Sequence, residues 1–135
     1  MPVKRIDHIA VVVPDLEEAQ VFFSDALGLP IDKVGEIPAE QVETVFLTVG
    51  DTEIELVKPT SDSGGVAKFL SKRGAGMHHV CLEVDDIEGM LDSMKAHGIE
   101  LINSEPVIDE SGKKYAFLHP KSTFGVLIEF YEYPA

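Results

Sequence analysis

The sequence has few of the features that mark a secreted or membrane protein. Its 135 residues include no tryptophan and one cysteine, Cys81. A single cysteine excludes an internal disulfide and is compatible with a reducing compartment. The apolar run Ile9–Val13 is too short for the core of a signal peptide, and no run approaches the length that crosses a bilayer. We therefore expect a cytoplasmic protein.

Positive charge is also scarce. Eleven lysines and arginines stand against 24 aspartates and glutamates, which gives a formal net charge of −13. Nucleic acids and anionic membranes repel a chain of this charge, so we expect neither as a partner. An anionic small molecule would need a local basic patch. The length and a hydrophobic fraction of 44% fit one globular domain.

The chain contains an internal repeat. The segment IDHIAVVVPDLEEA aligns with MHHVCLEVDDIEGM, so that His8 falls on His79, 71 positions later. A repeat of this size indicates two copies of one supersecondary unit. We predict a single domain over residues 1–135, made of a module at about 1–60, a linker with a short helix at 61–75, and a second module at about 76–135.

Each copy is predicted to form a strand, a helix and three more strands, because β-branched runs alternate with turn residues and one amphipathic stretch. The first copy comprises strand Lys4–Val13, helix Leu16–Ala26, and strands Leu29–Ile37, Glu43–Val49 and Thr52–Pro59. The second comprises strand Met77–Val84, helix Asp86–His97, and strands Glu100–Asn103, Lys114–Leu118 and Val126–Tyr133, with a polar loop at Glu105–Gly112. Helical spacing predicts a core stripe of Leu16, Ala19, Phe22, Phe23 and Ala26.

Four polar side chains lie on the faces of strands opposite their apolar residues. Because side chains alternate along a strand, His8 and His79 point away from the apolar set of their own strands. Glu55 and Glu129 do the same in the last strand of each copy. Equivalent positions in two copies can be brought together by pseudo-twofold symmetry. Two imidazoles and two carboxylates suit a divalent metal ion and leave coordination sites open.

The remaining histidines and the cysteine give weaker signals. His97 lies at the end of a predicted helix, where it would cap the last carbonyls. His119 opens a turn, and either turn chemistry or pocket lining would explain it. Cys81 has no flanking base or cation, so we do not expect a nucleophile there.

These blocks carry a family resemblance over essentially the whole chain. IDHIAVVVPDLEEA, GDTEIELVKP, GMHHVCLEVDDIE and AFLHPKSTFGVLIEF resemble the vicinal oxygen chelate superfamily and, within it, the methylmalonyl-CoA epimerase family. The resemblance implies an α+β fold in which two tandem βαβββ modules form a U-shaped, eight-stranded mixed sheet around a metal site, as in glyoxalase and bleomycin-resistance proteins. It also implies a homodimer.

The implied reaction interconverts the (2R) and (2S) epimers of methylmalonyl-CoA by proton transfer at C2 through a metal-stabilised enolate. The resemblance assigns the metal to His8, Glu55, His79 and Glu129, with Co²⁺, Mn²⁺, Zn²⁺, Ni²⁺ or Mg²⁺ as the ion. Glu129 matches the position that also serves as an acid/base. In the family the second acid/base lies on the strand corresponding to Glu43–Val49, where Glu43 is the candidate. Alternation from Phe46 makes Thr44 its same-face neighbour, so a water or another residue is the alternative to Glu43.

The turn His119-Pro-Lys-Ser matches a feature more particular to the epimerases. We predict that Lys121 and Ser122, or the backbone N–H groups of the turn, bind the substrate carboxylate or the CoA phosphates. Lys113 and Lys114 nearby would complete the basic patch that an acidic chain requires.

Two other functions use the same fold. A glyoxalase I-type lactoylglutathione lyase has the same kinds of ligand and also moves a proton through a glutamate. A metal-free protein that sequesters a drug or antibiotic would differ by lacking the complete ligand set.

Overall fold

A computed structural model describes residues 2–135. The strands are β1 (Val3–Val12), β2 (Ile31–Ile37), β3 (Val42–Val49), β4 (Thr52–Pro59), β5 (Gly76–Val84), β6 (Val107–Ile108), β7 (Lys114–Leu118) and β8 (Ile128–Glu132). The helices are α1 (Leu16–Gln20), continued by a π-helical segment (Val21–Ala26), α2 (Gly65–Arg73) and α3 (Ile87–Ala96), with short 3₁₀ turns at Pro38–Glu40 and Pro120–Ser122.

The strands form one mixed sheet in the order β2-β3-β4-β1-β5-β8-β7-β6. Strand β1 runs parallel to β4, and β5 runs parallel to β8, while the other pairs within each module are antiparallel. Two βαβββ modules in an eight-stranded mixed sheet confirm the predicted fold class. Among residues 2–135, no helix is both long enough and apolar enough to cross a membrane.

The chain divides into two compact units. The first unit is His8–His78, and the second consists of the residues before His8 together with His79–Ala135. The linker and short helix predicted at 61–75 fall inside the first unit.

In the first unit, one face of the sheet packs against α1. Asp15 caps this helix, because its Oδ1 accepts a hydrogen bond from the N–H of Glu18 at 3.0 Å. The apolar contacts join the helix to β1, β3 and β4, and their members are Val11, Val13, Leu16, Ala19, Phe23, Leu29, Val45, Leu47, Ile54 and Leu56.

The predicted core stripe of α1 is wrong in its second half. Phe22 is 54% exposed, and Ala26 is exposed as well, whereas Phe23 packs in the core. The reason is the π-helical segment, in which the N–H of Leu27 donates to the carbonyl of Phe22, five residues back, at 2.9 Å. The wider turn changes the angle between successive side chains, so a stripe counted with the α-helical period leaves the core.

In the second unit, α3 covers the corresponding face of β5, β7 and β8. Asp86 caps the helix by accepting from the N–H of Gly89 at 3.1 Å, which confirms the predicted helix start. Ile87 and Leu91 are its buried residues. They pack with Val84, Ala116, Leu118 and Phe130.

The predicted strand Glu100–Asn103 is reduced to an isolated bridge between Leu101 and Leu118. The edge strand β6 lies instead at Val107–Ile108, inside the segment predicted as a loop. Asn103 explains the difference, since its side-chain oxygen accepts from the N–H of Phe117 at 2.8 Å. A side chain that takes the place of a backbone acceptor ends the ladder.

Candidate active site

His8 and Glu55 form a buried pair in the first unit. Nε2 of His8 lies 3.3 Å from Oε1 of Glu55, and both side chains are almost wholly enclosed. Phe46 is the cross-strand partner of Glu55 on β3, and its ring meets the imidazole of His8 edge to face at 5.6 Å. The pairing of β1, β4 and β3 therefore fixes an imidazole, a carboxylate and an aromatic ring on one face of the sheet.

His79 and Glu129 form the matching pair in the second unit. Nε2 of His79 lies 3.0 Å from Oε1 of Glu129, and both residues are buried. Phe117 is the cross-strand partner of Glu129 on β7, and its ring meets the imidazole of His79 at 5.5 Å. The parallel pairing of β5 with β8 places the pair as β1 and β4 place the first one.

The two pairs repeat each other in detail, including the aromatic ring. The ring planes meet at 87° in the His8–Phe46 contact and at 88° in the His79–Phe117 contact. Sequence analysis did not assign these phenylalanines to the site. The available signal was their spacing of 71 residues, equal to that of the histidines.

The donors fit a divalent cation. Two ligands at right angles, each about 2.1 Å from an octahedral ion, lie about 3.0 Å apart, which is close to the nitrogen–oxygen distance in each pair. Imidazole and carboxylate together suit first-row divalent metals. Buried carboxylates also need a compensating partner, and either an ion or the imidazole N–H supplies one. Each His–Glu pair is thus suited to metal binding.

Glu43 lies on the other face of β3. It is the cross-strand partner of Lys58 on β4 and of Glu36 on β2, whereas Phe46 and Thr44 alternate with it on the face of Glu55. The assignment of Glu43 as second acid/base stays a prediction.

Lys121 and Ser122 lie together on the 3₁₀ turn after β7. The N–H of Lys121 donates to Nδ1 of His119 at 3.0 Å, so His119 acts as the cap of this turn. Oγ of Ser122 accepts from the N–H of Glu100 at 2.9 Å, which leaves the hydroxyl proton for another acceptor. Their role in substrate binding stays a prediction.

Two lysines of the predicted basic patch, Lys113 and Lys114, form ion pairs with acidic side chains. Nζ of Lys113 lies 3.8 Å from a carboxylate oxygen of Asp109, and Nζ of Lys114 lies 2.7 Å from Glu88. Both ammonium groups already have acidic partners, so they do not form the free cationic surface expected from the sequence.

A polar network that sequence analysis missed centres on buried Asp7. Its Oδ2 accepts from the hydroxyl of Tyr133 at 2.5 Å and from Nη2 of Arg5 at 3.1 Å, and Nε of Arg5 donates to Glu83 at 2.7 Å. Burial raises the pKa of the Tyr133 hydroxyl, and the hydrogen bond to Asp7 raises that pKa further. More buried and less buried residues alternate along β1, except at Asp7 and His8, which follow each other and are both buried.

Comparison with known proteins places these features in context. A family model described as the glyoxalase/bleomycin resistance protein/dioxygenase superfamily matches residues 7–117. The chain is 42% identical over 126 residues to the mitochondrial methylmalonyl-CoA epimerase of Mus musculus, an alignment that covers 93% of this chain and 71% of that protein. It is 39% identical over 127 residues to the ethylmalonyl-CoA/methylmalonyl-CoA epimerase of Cereibacter sphaeroides, with 93% and 95% covered.

A solved structure gives the same likeness. The structure of a methylmalonyl-CoA epimerase in complex with methylmalonyl-CoA and NH₄⁺ superposes with a TM-score of 0.91 at 27% identity, covering 98% of this chain and 96% of that one.

Proposed function

Because this chain belongs to the glyoxalase/bleomycin resistance protein/dioxygenase superfamily and, within it, to the methylmalonyl-CoA epimerase family, we propose that it interconverts the C2 epimers of methylmalonyl-CoA. The observation that carries the proposal is the repeated buried pair, His8 with Glu55 and His79 with Glu129. Family membership gives the reaction, and the pairs give this chain the residue types that the reaction needs.

The metal is the first part of the proposal. His8, Glu55, His79 and Glu129 would together hold one divalent ion, of which Co²⁺ and Mn²⁺ are the first to test and Zn²⁺, Ni²⁺ and Mg²⁺ the next. The internal repeat supports a joint site, since equivalent residues of the two modules carry matching pairs. When bound, the ion would act as a Lewis acid toward the thioester and carboxylate oxygens of the substrate.

Glu129 is the proposed acid/base at C2. The hydrogen at C2 lies between a thioester carbonyl and a carboxylate, so its removal gives a delocalised enolate. A carboxylate that is buried and fixed by the β5–β8 pairing approaches that hydrogen in one orientation only. Protonation of the opposite face by a second group inverts the centre, and the reverse sequence restores it.

Glu43 is proposed as that second group. Glu43 lies on the helix-facing side of β3, opposite the face that bears Glu55, so the role requires Glu43 to act from outside the face of the His8–Glu55 pair. It is tested by comparing Glu43→Gln with Glu36→Gln, which removes a charge from the cross-strand neighbour. Loss of epimerisation in the first variant alone would support the role, and equal activity in both would remove it.

Lys121 and Ser122 are proposed to bind an anionic group of the substrate. The Lys121 ammonium has no carboxylate within 4.0 Å among residues 2–135, and Ser122 keeps a proton to donate. Lys121→Glu should raise KM for acyl-CoA substrates, and an unchanged KM would contradict this role.

A homodimer is the proposed assembly. Large apolar side chains on the surface of the first unit support it, and these are Val21, Phe22, Leu27, Ile31 and Val34. Light scattering at micromolar concentration gives the mass directly, and a monomeric mass would overturn the proposal.

The deciding experiment is deuterium exchange at C2 of methylmalonyl-CoA in D₂O, followed by NMR. It compares chelated protein, protein with added Co²⁺ or Mn²⁺, and the variant Glu129→Gln, with the exposed Glu105→Gln as control. We expect metal-dependent exchange that Glu129→Gln abolishes and Glu105→Gln retains. Absence of exchange with every metal would overturn the proposal, and activity on methylglyoxal with glutathione would then favour a lyase.

A further inference from the structure

The face of the first unit that bears His8 and Glu55 extends onto β2 and β3. Lys33 is the cross-strand partner of Phe46, and Gly35 is the partner of Thr44. Phe46 in turn pairs with Glu55. Partners in a ladder point to the same side of the sheet, so Lys33, Gly35 and Thr44 share the face of the candidate site. A bulge between Ile31 and Lys33 puts Ile31 beside Leu47 instead, on the helix-packed side.

Lys33 holds its charge over the aromatic ring of this face. Its Nζ lies 4.5 Å from the centroid of the Phe46 ring, the same ring that packs against His8. Across residues 2–135, no carboxylate oxygen comes within 4.0 Å of this ammonium. Lys113 in the second unit also lies over a ring, that of Tyr131, but it has Asp109 at 3.8 Å. Lys33 thus places a positive charge, with no carboxylate against it, on the face of the candidate site in a chain with a net charge of −13.

Thr44 adds a hydrogen-bond donor to the same face. The residue is only 3% exposed, yet its hydroxyl makes no hydrogen bond with any other residue that the structure describes. The hydroxyl oxygen itself is not sealed from solvent, so water can satisfy it when no ligand is present. A ligand oxygen above Thr44 could displace that water and accept the hydroxyl proton.

Gly35 leaves room for such a ligand. A Cβ atom built on Gly35 would meet no other atom within 4 Å. Its backbone angle φ is not in the left-handed region, so the chain conformation does not require glycine there. The absent side chain therefore leaves open space between Lys33 and Thr44.

We infer that Lys33, Gly35 and Thr44 form a subsite for the free carboxylate of the acyl group. This inference rests on the proposed function, since it takes an acidic acyl-CoA as substrate. Lys33 is two strands away from Glu55, about 10 Å at a strand spacing of about 4.8 Å, and its side chain extends back over Phe46. That position is close to the proposed reacting centre, whereas the CoA phosphates lie a whole pantetheine arm away from the acyl group.

The primary test is Lys33→Met, with Lys72→Met as matched control. Lys72 is an exposed lysine of α2 in the same unit, so both variants change the net charge equally. We expect KM for methylmalonyl-CoA to rise about three- to tenfold in Lys33→Met, as for the loss of one charged hydrogen bond, with a smaller change in kcat. Lys72→Met should match the wild type. Equal KM values in the two variants would overturn the subsite.

Two further variants keep the test independent of the lysine. Thr44→Val removes the hydroxyl at nearly constant volume and should raise KM by a similar factor. Gly35→Ala fills the open space and should also raise KM, while the free energy of unfolding stays the same or increases, because glycine weakens a strand interior. A destabilised Gly35→Ala protein with unchanged KM would contradict the inference.

Truncated ligands identify the anion. Propionyl-CoA lacks the free carboxylate, so its Kd should be the same for wild type and Lys33→Met. The methylmalonyl thioester of pantetheine lacks the phosphates and should keep the full difference. The opposite result would assign Lys33 to a CoA phosphate and overturn the carboxylate subsite.

Failure of the subsite can be separated from failure of the proposed function. Methylmalonate alone should shift the amide resonances of Gly35 and Thr44 in an NMR titration, and Lys33→Met should abolish the shifts. Shifts without any C2 exchange would keep the subsite and remove the epimerase activity. C2 exchange without these resonance shifts, together with an unchanged KM in Lys33→Met, would keep the epimerase activity and remove the subsite.

Discussion

Tyr133 donates a hydrogen bond from its hydroxyl to Oδ2 of Asp7 at 2.5 Å, and this bond joins residues 126 positions apart in the chain. The same oxygen accepts from Nη2 of Arg5. Asp7 is only 3% exposed, so these two donors replace part of the hydration that its carboxylate has lost. The bond ties the end of β8 to the strand that leads into His8.

Removal of the Tyr133 hydroxyl should therefore destabilise the protein. Tyr133→Phe keeps the ring but leaves Asp7 with one donor fewer, and we expect the free energy of unfolding to fall by about 1–2 kcal/mol. Urea denaturation of wild type and Tyr133→Phe measures this difference in the free energy of unfolding. Since the ring is retained, a decrease no larger than that of a surface substitution would show that the carboxylate does not need the Tyr133 hydroxyl.

The same bond predicts a dependence on alkaline pH. The pKa of Tyr133 is raised in the folded protein, first by burial and then by Asp7, so the folded state holds this proton when the unfolded state has lost it. The stabilisation is complete below about pH 10, the pKa of an unfolded tyrosine, and is lost as the pH rises toward the folded value. Wild type should lose stability more steeply than Tyr133→Phe above pH 10. Parallel curves would contradict the shift.

Metal affinity should depend on both histidine pairs. Calorimetric titration of chelated protein with Co²⁺ should show at least a hundredfold loss of affinity in His8→Ala and in His79→Ala, since each removes a proposed ligand. His97→Ala is the control, because His97 is exposed and its Nδ1 lies 2.8 Å from the carbonyl of Ser93. A bound ion should also raise Tm, by an amount that grows with the logarithm of the ratio of free ion to Kd. Loss of affinity in only one of the two variants would show that the pairs act separately.

The π-helical segment leaves Phe22 exposed while the adjacent Phe23 packs in the core, so the two substitutions should differ in their effect on stability. Phe23→Ala removes a ring packed in the core and should lower the free energy of unfolding by about 2–4 kcal/mol. Phe22→Ala removes an exposed ring and should cost less than about 1 kcal/mol. Thermal unfolding of the two variants compares them directly. Equal losses would indicate an ordinary α-helical stripe.

The parts of the fold that were predicted correctly, and the strand faces of the candidate ligands, depend on regular periods in the sequence. Alternation along strands and a repeat of 71 residues are enough to assign His8 and His79 to equivalent strands and to the faces opposite their apolar residues. The structure then adds that each is paired with the glutamate chosen by the same rule.

The features that the sequence did not predict depend on backbone irregularities and long-range contacts, which leave no periodic pattern in the sequence. A π-helical turn changes the phase of α1 without changing its composition, and Phe22 leaves the core. The Asn103 side chain ends a strand that its neighbours favour. The contact of Asp7 with Tyr133 spans almost the whole chain, and Lys33 is placed over Phe46 by the strand register.

The division of β1 between the two units has a consequence for the order of folding. A ribosome has delivered all of the first unit once His78 has been added, but the second unit needs both the residues before His8 and Tyr133. Closing a loop of that length is slower than forming local contacts. The residues before His8 are synthesised ahead of the first unit but find their partners in the second, as Asp7 does with Tyr133.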